Sequence, residues 1–522
     1  MAITFNLVDQ AWIPVVDPGG SPREVSLREA LVNAHQYRQL SAGLPHTNAA
    51  LYRLLLAVLH SNFGPDGADA WAELWEQQQF DPTVLDTYLQ KWRPRFDLFS
   101  AEWPFFQRRN PDVEVKPANV LLFLVAGGNA ETLFDHNVED RPVRLTPTQA
   151  ALALVTAQSF SLAGLCHPQL NLVYTDAPCS RAAVFLLQGK NLFESLMLNL
   201  VEYNRALPIP RQSGRKDQPA WEMDDPYLPE RTVPNGYLDY LTWQNRRIML
   251  FPSLENGQTV VRQITTAPGL VLSAERRNPM HHYRIDEKAS QKQSPFKVLR
   301  FNEGRALWRD SSALLSPGNQ NVEHPAALDW AAQLIFKRKL PNKKLTLAAY
   351  GMSTDPGKQK VYFYRGEQFE FSDALLADQN LAGQLQKAQE MAELLRSQLW
   401  GVISSLATLL LSPEADLKDG RKPHPDDVKK LLAHWNAEGL YWAALEIPFY
   451  HFLDRLPEEP DAAMVQWKTD LRRAALHAFE QTARVTGNSV RALKASARAQ
   501  LQLYAALKKV LEPTPQEEKS NA

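Results

Sequence analysis

The segment Asn342–Gly366, NKKLTLAAYGMSTDPGKQKVYFYRG, decides how the rest of the chain is read. Leu345–Tyr350 and Val361–Tyr364 are short runs of aliphatic, β-branched and aromatic residues, a composition that suits a pleated, half-buried strand. Between them, Thr354-Asp355-Pro356-Gly357 places a proline where φ must be fixed and a glycine where the backbone must turn freely, so it predicts a tight reversal. Lys343, Lys344, Lys358, Lys360 and Arg365 stand against one acid, Asp355. A rigid basic hairpin with a polar tip suits insertion into a nucleic-acid groove. The plainer alternative is a surface hairpin with a solvated tip.

Outside this segment the composition is that of an ordinary globular protein. The 522 residues are enough for several domains, with 44% hydrophobic and 22% charged side chains. Lys and Arg number 57 and Asp and Glu 58, so contact with nucleic acid must come from local patches or alongside more basic partners. Cys166 and Cys179 are too few for a four-thiolate zinc site or a disulfide framework, which points to a reducing, cytoplasmic compartment and to no bound cofactor. No basic leader with an apolar run opens the chain. No uninterrupted apolar stretch approaches the ~20 residues of a membrane span.

In chain order, Phe5–Val16 reads as two short strands, and Ser26 with Glu29 as a capping box that opens a helix. Ala49–His60 has the spacing of a buried helix, followed by short helices at Trp71–Glu76 and Val84–Trp92. Phe96–Phe106 is an aromatic cluster of core type. A turn-rich loop runs from Gly127 through Phe134-Asp135-His136-Asn137 to Pro142, and Thr146-Pro147 then starts a helix. Phe160–Pro168 forms a second irregular loop. Its Cys166-His167 pair invites a Cys/His catalytic reading, but no third group is recognisable. Leu207–Pro234 reads as a long surface connection, and Tyr237–Pro252 as a helix running into a strand. Arg276–Asp310 holds nine Lys/Arg against four acids, interleaved with His281, His282 and Tyr283. It suits either phosphate contacts or a solvated charged face.

Beyond Phe371 the pattern is helical. Leu395, Leu399, Val402, Leu406 and Leu409 form one apolar stripe, Val428–Leu456 a second helical region kinked at Pro448, and Ala462–Thr486 a third helix. Val490, Leu493, Ala497, Leu501, Tyr504, Leu507 and Leu511 form a fourth stripe, predicting an antiparallel four-helix bundle. The expected fold class is α+β: a mixed α/β domain over 1–372, a bundle over 373–513 and a disordered tail over 514–522. The chain holds no phosphate-binding loop, dinucleotide fingerprint, His-Glu-x-x-His or Gly-x-Ser-x-Gly.

Several of these blocks together resemble one family. They are Phe5–Asp9 with Trp12–Val15, Phe96–Phe99 with Pro104–Gln107, Thr132–His136, Ala306–Asp310, the Tyr350-Gly351 hairpin and the terminal helices. In this order they look like the large subunit (CasA) of the type I-E CRISPR Cascade surveillance complex. The resemblance implies a non-catalytic subunit that reads the short motif beside a double-stranded DNA target from the minor groove. It also implies that the subunit helps open the duplex for guide RNA and recruits a helicase-nuclease; other Cascade subunits would carry the RNA. Phe134, Asp135, His136 and Asn137 then correspond to the loop at the guide RNA end, and Ala163, Gly164 and Leu165 to the groove-reading loop. Thr354, Asp355, Pro356, Gly357, Lys358 and Gln359 correspond to a wedge, with Gln359 its amide. Arg276, Arg277 and Lys360 are candidate phosphate contacts. The rival readings are a scaffold that makes only protein contacts and a metal-dependent nuclease.

Overall fold

A computed structural model describes residues 3–122, 143–167, 172–286, 294–316, 319–341, 343–354, 360–412 and 422–512. The chain forms two compact units, Met1–Leu307 with Asn319–Glu370, and Trp308–Gly318 with Phe371–Ala522. Helices and short antiparallel sheets build the first unit, and helices alone the body of the second, giving the expected α+β class.

In the first unit the hairpin strands extend further than their composition suggested, over Lys344–Thr354 and Val361–Ser372. The first of them is the middle strand of a three-stranded sheet. It pairs antiparallel with Val184–Gln188, placing Thr346 opposite Gln188 and Tyr350 opposite Val184. Gly351 fits because a Cβ there would stand 2.8 Å from the Ala182 carbonyl. Pro45–Phe63 is apolar nearly all round and buried along most of its length, packed against Pro147–Phe160 and against the sheet. Both local cap predictions hold. Ser26 and Glu29 close a capping box, and so do Thr146 and Gln149, with Pro147 in the first turn.

The helix expected near Tyr237 is short, Tyr237–Leu241, and the strand after it runs over Arg246–Glu255. That strand turns back into Gln258–Pro268 through Asn256 and Gly257, whose φ values of 50° and 78° are those a two-residue hairpin turn demands. Leu207–Pro234 is irregular but is not a surface connection. Trp221 and Tyr227 are buried, the Trp221 Nε1 donates to the Tyr88 hydroxyl at 2.9 Å, and the Tyr227 hydroxyl donates to the Arg246 carbonyl at 2.7 Å. Large aromatics among the prolines nail the segment to the core. Likewise His281, His282 and Tyr283 are buried rather than offered to a ligand.

In the second unit Gln379–Leu411, Ala437–Arg455, Pro460–Val485 and Val490–Leu511 form the four-helix bundle, with the short helix Pro425–Trp435 in addition. Trp467, near the start of the third long helix, donates to the Ala388 carbonyl near the start of the first, whereas Arg491 at the start of the last reaches Leu409 at the end of the first. With Glu438 at the start of the second helix against Arg396, and Phe452 near its end against Trp467, these contacts fix an up-down-up-down order. Among the described residues Gln379–Leu411 is the helix long and apolar enough to cross a membrane by length and composition; its stripe of Leu395, Leu399, Val402 and Leu406 is buried inside the unit. The second helical region breaks at Asn436, which adopts the left-handed conformation (φ 47°), while Pro448 lies within Ala437–Arg455. The fourth stripe holds at its end, where Leu507 and Leu511 are buried as expected, and is rotated before it. Ala492, Ala495, Ala499, Leu503 and Leu507 face inward, and Val490, Leu493, Leu501 and Tyr504 are exposed. In its first half small alanines let the last helix pack closely, so packing there followed side-chain size rather than hydrophobicity.

Candidate nucleic-acid interface

The groove-loop residues lie at the start of a two-stranded ribbon. Gly164–His167 pairs antiparallel with Leu172–Tyr174, Gly164 opposite Tyr174 and Leu165 opposite Val173, with a register shift between Leu165 and His167. Leu165 and Val173 are 59% and 53% exposed, so two apolar side chains stand out side by side. Cys166 is buried with its Sγ directed at the Thr266 carbonyl, 3.7 Å away, on the long hairpin. The Tyr174 hydroxyl donates to the same carbonyl at 3.0 Å. The ribbon is thereby tied to a rigid strand, and the Cys166 thiol takes part in packing.

Behind the loop sits one carboxylate among several cations. Asp176 Oδ1 accepts the Ala163 backbone N–H at 2.7 Å, and its Oδ2 accepts from Arg181 Nε at 2.5 Å. Arg181 in turn reaches the Thr354 hydroxyl at 3.3 Å, at the base of the basic hairpin. A single ion pair therefore joins Ala163, at the start of the ribbon, to Thr354, at the base of the hairpin. Arg246 donates from its two terminal nitrogens to the carbonyls of Thr175 and Leu162 at 2.9 and 2.8 Å, and lies over the Tyr174 ring. Burial pushes its guanidinium down to about 10, which leaves it charged at neutral pH. Arg300 keeps an exposed edge and is lowered as well, by partial desolvation first and by the positive charge of Arg181 second. Lys116 Nζ approaches the Cys166 carbonyl at 3.5 Å. Arg246 and Arg181 therefore brace the loop, while Arg300 and Lys116 keep accessible surface suited to a polyanion.

The remaining sequence candidates are distributed unevenly. Thr354 joins this network, and Lys360 is exposed beside the Tyr362 ring. Arg365 turns toward the carbonyls of Asn302, Glu303 and Arg305, so it anchors the strand. Arg277 is paired with Glu323 at 2.9 Å over the Phe296 ring, and Arg276 lines a cavity of about 360 Å³ with Glu275, Glu323 and Asp329. Phe134, Asp135, His136 and Asn137, with Asp355, Pro356, Gly357, Lys358 and Gln359, lie outside the described residues. Sequence reasoning missed Asp176, Arg181 and Lys116, because no motif links residues so far apart along the chain, and read Arg300 only as one of the basic residues of Arg276–Asp310. The Asn256-Gly257 turn that sets the supporting hairpin was a legible signal that went unused. Among the described residues no group of three or more His, Cys, Asp and Glu is placed to hold a metal ion.

This fold has known counterparts. The model of the CRISPR-associated protein Cse1 family matches residues 6–478. The chain belongs to the Cse1 (CasA) family. It is 35% identical over 512 residues to CasA/Cse1 of Thermus thermophilus, a match covering 95% of this chain and 96% of that protein. The crystal structure of Thermus thermophilus CasA superposes with a TM-score of 0.81 at 32% identity, covering 97% and 100% of the two chains. Thermobifida fusca Cse1 gives 0.78 at 26% identity, covering 98% and 99%. A chain of a CRISPR RNA-guided surveillance complex shares the Cse1 fold at 21% identity, with a TM-score of 0.76 over 96% of this chain and 99% of that one. The family found is the one the sequence blocks resembled.

Proposed function

We propose that this Cse1-family chain is the non-catalytic large subunit of a cytoplasmic RNA-guided Cascade complex. In this reading it recognises the protospacer-adjacent motif in double-stranded DNA, helps open the duplex for guide RNA and recruits the helicase-nuclease. The observation that carries the proposal is the Ala163–Asp176–Arg181–Thr354 chain of contacts, which couples the groove-loop ribbon to the hairpin base. A protein that unstacks base pairs, at a few kcal/mol per step, must brace its wedge against the element that grips the neighbouring groove. Leu165 and Val173 supply apolar contact to a groove floor, the cations hold phosphates, and Phe134–Asn137 dock the subunit at the guide RNA end.

Gel shifts with the reconstituted complex test it. Varying only the flanking bases should change affinity for matched targets. Replacing Lys358 and Gln359 together by alanine should weaken binding to a fully paired target much more than to one already unpaired beside the motif. Equal losses on both substrates would leave a basic surface hairpin and no wedge, and no dependence on flanking bases would leave a scaffold. Magnesium-dependent DNA cleavage by the isolated protein would replace the proposal with a nuclease.

Arg181→Ala removes a charge-assisted hydrogen bond with a side chain only 12% exposed. Such bonds contribute about 1.5–3 kcal/mol to holding a fold together, so with the brace lost the variant should bind fully paired target more weakly than one already unpaired beside the motif. It should keep its melting behaviour to within a few degrees. An unchanged affinity would show that the ribbon and the hairpin act separately.

A further inference from the structure

The last helix of the second unit, Val490–Leu511, is apolar in two directions. Its inner face is the alanine-rich one that packs within the bundle. On its outer face Val490, Leu493, Leu501 and Tyr504 are 71%, 57%, 71% and 48% exposed. Ala497 is exposed between them, so the steps are three, four, four and three residues and the five positions share one face. Single exposed apolar side chains are ordinary, but a continuous stripe along one helix marks a contact surface. The same helix carries Arg491, Lys494, Arg498, Lys508 and Lys509, and no Asp or Glu. Arg491 is directed to the Leu409 carbonyl, whereas Lys494 and Lys508 are exposed and, by helical spacing, flank the stripe.

We infer that this outer face docks a partner protein whose surface is acidic and apolar, such as an amphipathic helix with Asp or Glu beside its stripe. A nucleic acid would engage the cations and leave Leu493 and Leu501 in water. A second copy of this chain would bring Lys494 and Lys508 against the same two lysines, a costly juxtaposition. An acidic apolar protein surface satisfies both halves of the patch, as in helix-in-groove recognition. The inference does not rest on the reading of the DNA motif.

The test is photo-crosslinking in the assembled complex, with a photoreactive amino acid in place of Leu501 and the adduct mapped by mass spectrometry. The expected adduct is a segment of a different protein that combines apolar residues with Asp or Glu. Lys494→Glu with Lys508→Glu should lower its yield at least tenfold, and Lys494→Arg with Lys508→Arg should preserve it. All these positions are exposed, so thermal unfolding serves as the control and should be unchanged. An adduct with nucleic acid, lipid, a second copy or this chain itself overturns the inference. So does the absence of any adduct, or a yield indifferent to charge reversal.

Discussion

Lowering the pH from 8 to 5 should remove most of the stability of the mixed α/β unit. Four of its histidines, His46, His60, His281 and His282, are buried. Burial holds each of them down to about 3; Arg53 adds to the effect at His281, and His324 and Arg284 at His282. The surroundings explain it. His46 stacks on Tyr364 at 4.7 Å and meets Phe160 edge-on, and His60 lies between the rings of Tyr203 and Tyr237. In the unfolded chain each ring titrates near its ordinary value of about 6.5. Between these values the unfolded state binds more protons than the folded one. Their stabilisation is therefore complete above pH 6.5 and is lost as pH falls toward 3. At pH 5 the loss is roughly 2 kcal/mol per histidine, and four such losses are comparable to a domain's whole stability. Urea unfolding at several pH values measures this. His60→Leu should flatten the dependence below pH 6 by about 1.4 kcal/mol per pH unit. A midpoint constant from pH 8 to 5 would contradict the prediction.

Trp308→Ala should be the most damaging single change in the helical unit. The side chain is 2% exposed, stacks on Phe449 at 4.5 Å and meets Trp442 edge-on at 5.6 Å. Its carbonyl accepts from Gln389 Nε2 at 2.6 Å. Next to it, Arg309 pairs with Glu393 at 2.7 Å above the Trp442 ring. The segment from Trp308 thus fills a place among the long helices although it precedes them by some sixty residues of chain. Emptying a site of this kind costs about 3–5 kcal/mol, or roughly 10 °C in a unit of this size. A bundle fragment that begins at Phe371 lacks the whole segment and should melt lower than one supplied with residues 308–316 as a peptide. Equal melting curves would show that the helices do not need it.

What could be read along the chain was whatever is decided within a few residues. Ser26 with Glu29 and Thr146 with Pro147 announce helix starts, because a cap needs only the next turn. The Leu395–Leu406 stripe was legible for the same reason. Family membership was legible because blocks from Phe5 to the terminal helices keep their order, which requires no geometry.

Fold class, family and the positions of the main elements follow from the amino-acid order alone, since periodicity, caps and turns are short-range properties. Packing in three dimensions selected the buried face in the first half of Val490–Leu511, where close approach takes small alanines and a hydrophobic pattern takes leucine. It also decided that Trp308 belongs with the helices, and that Asp176 and Arg181 join Ala163 to Thr354. Those outcomes depend on which distant groups share a buried site, where a carboxylate needs its cation and an aromatic ring its neighbours, and no local pattern along the chain records that pairing.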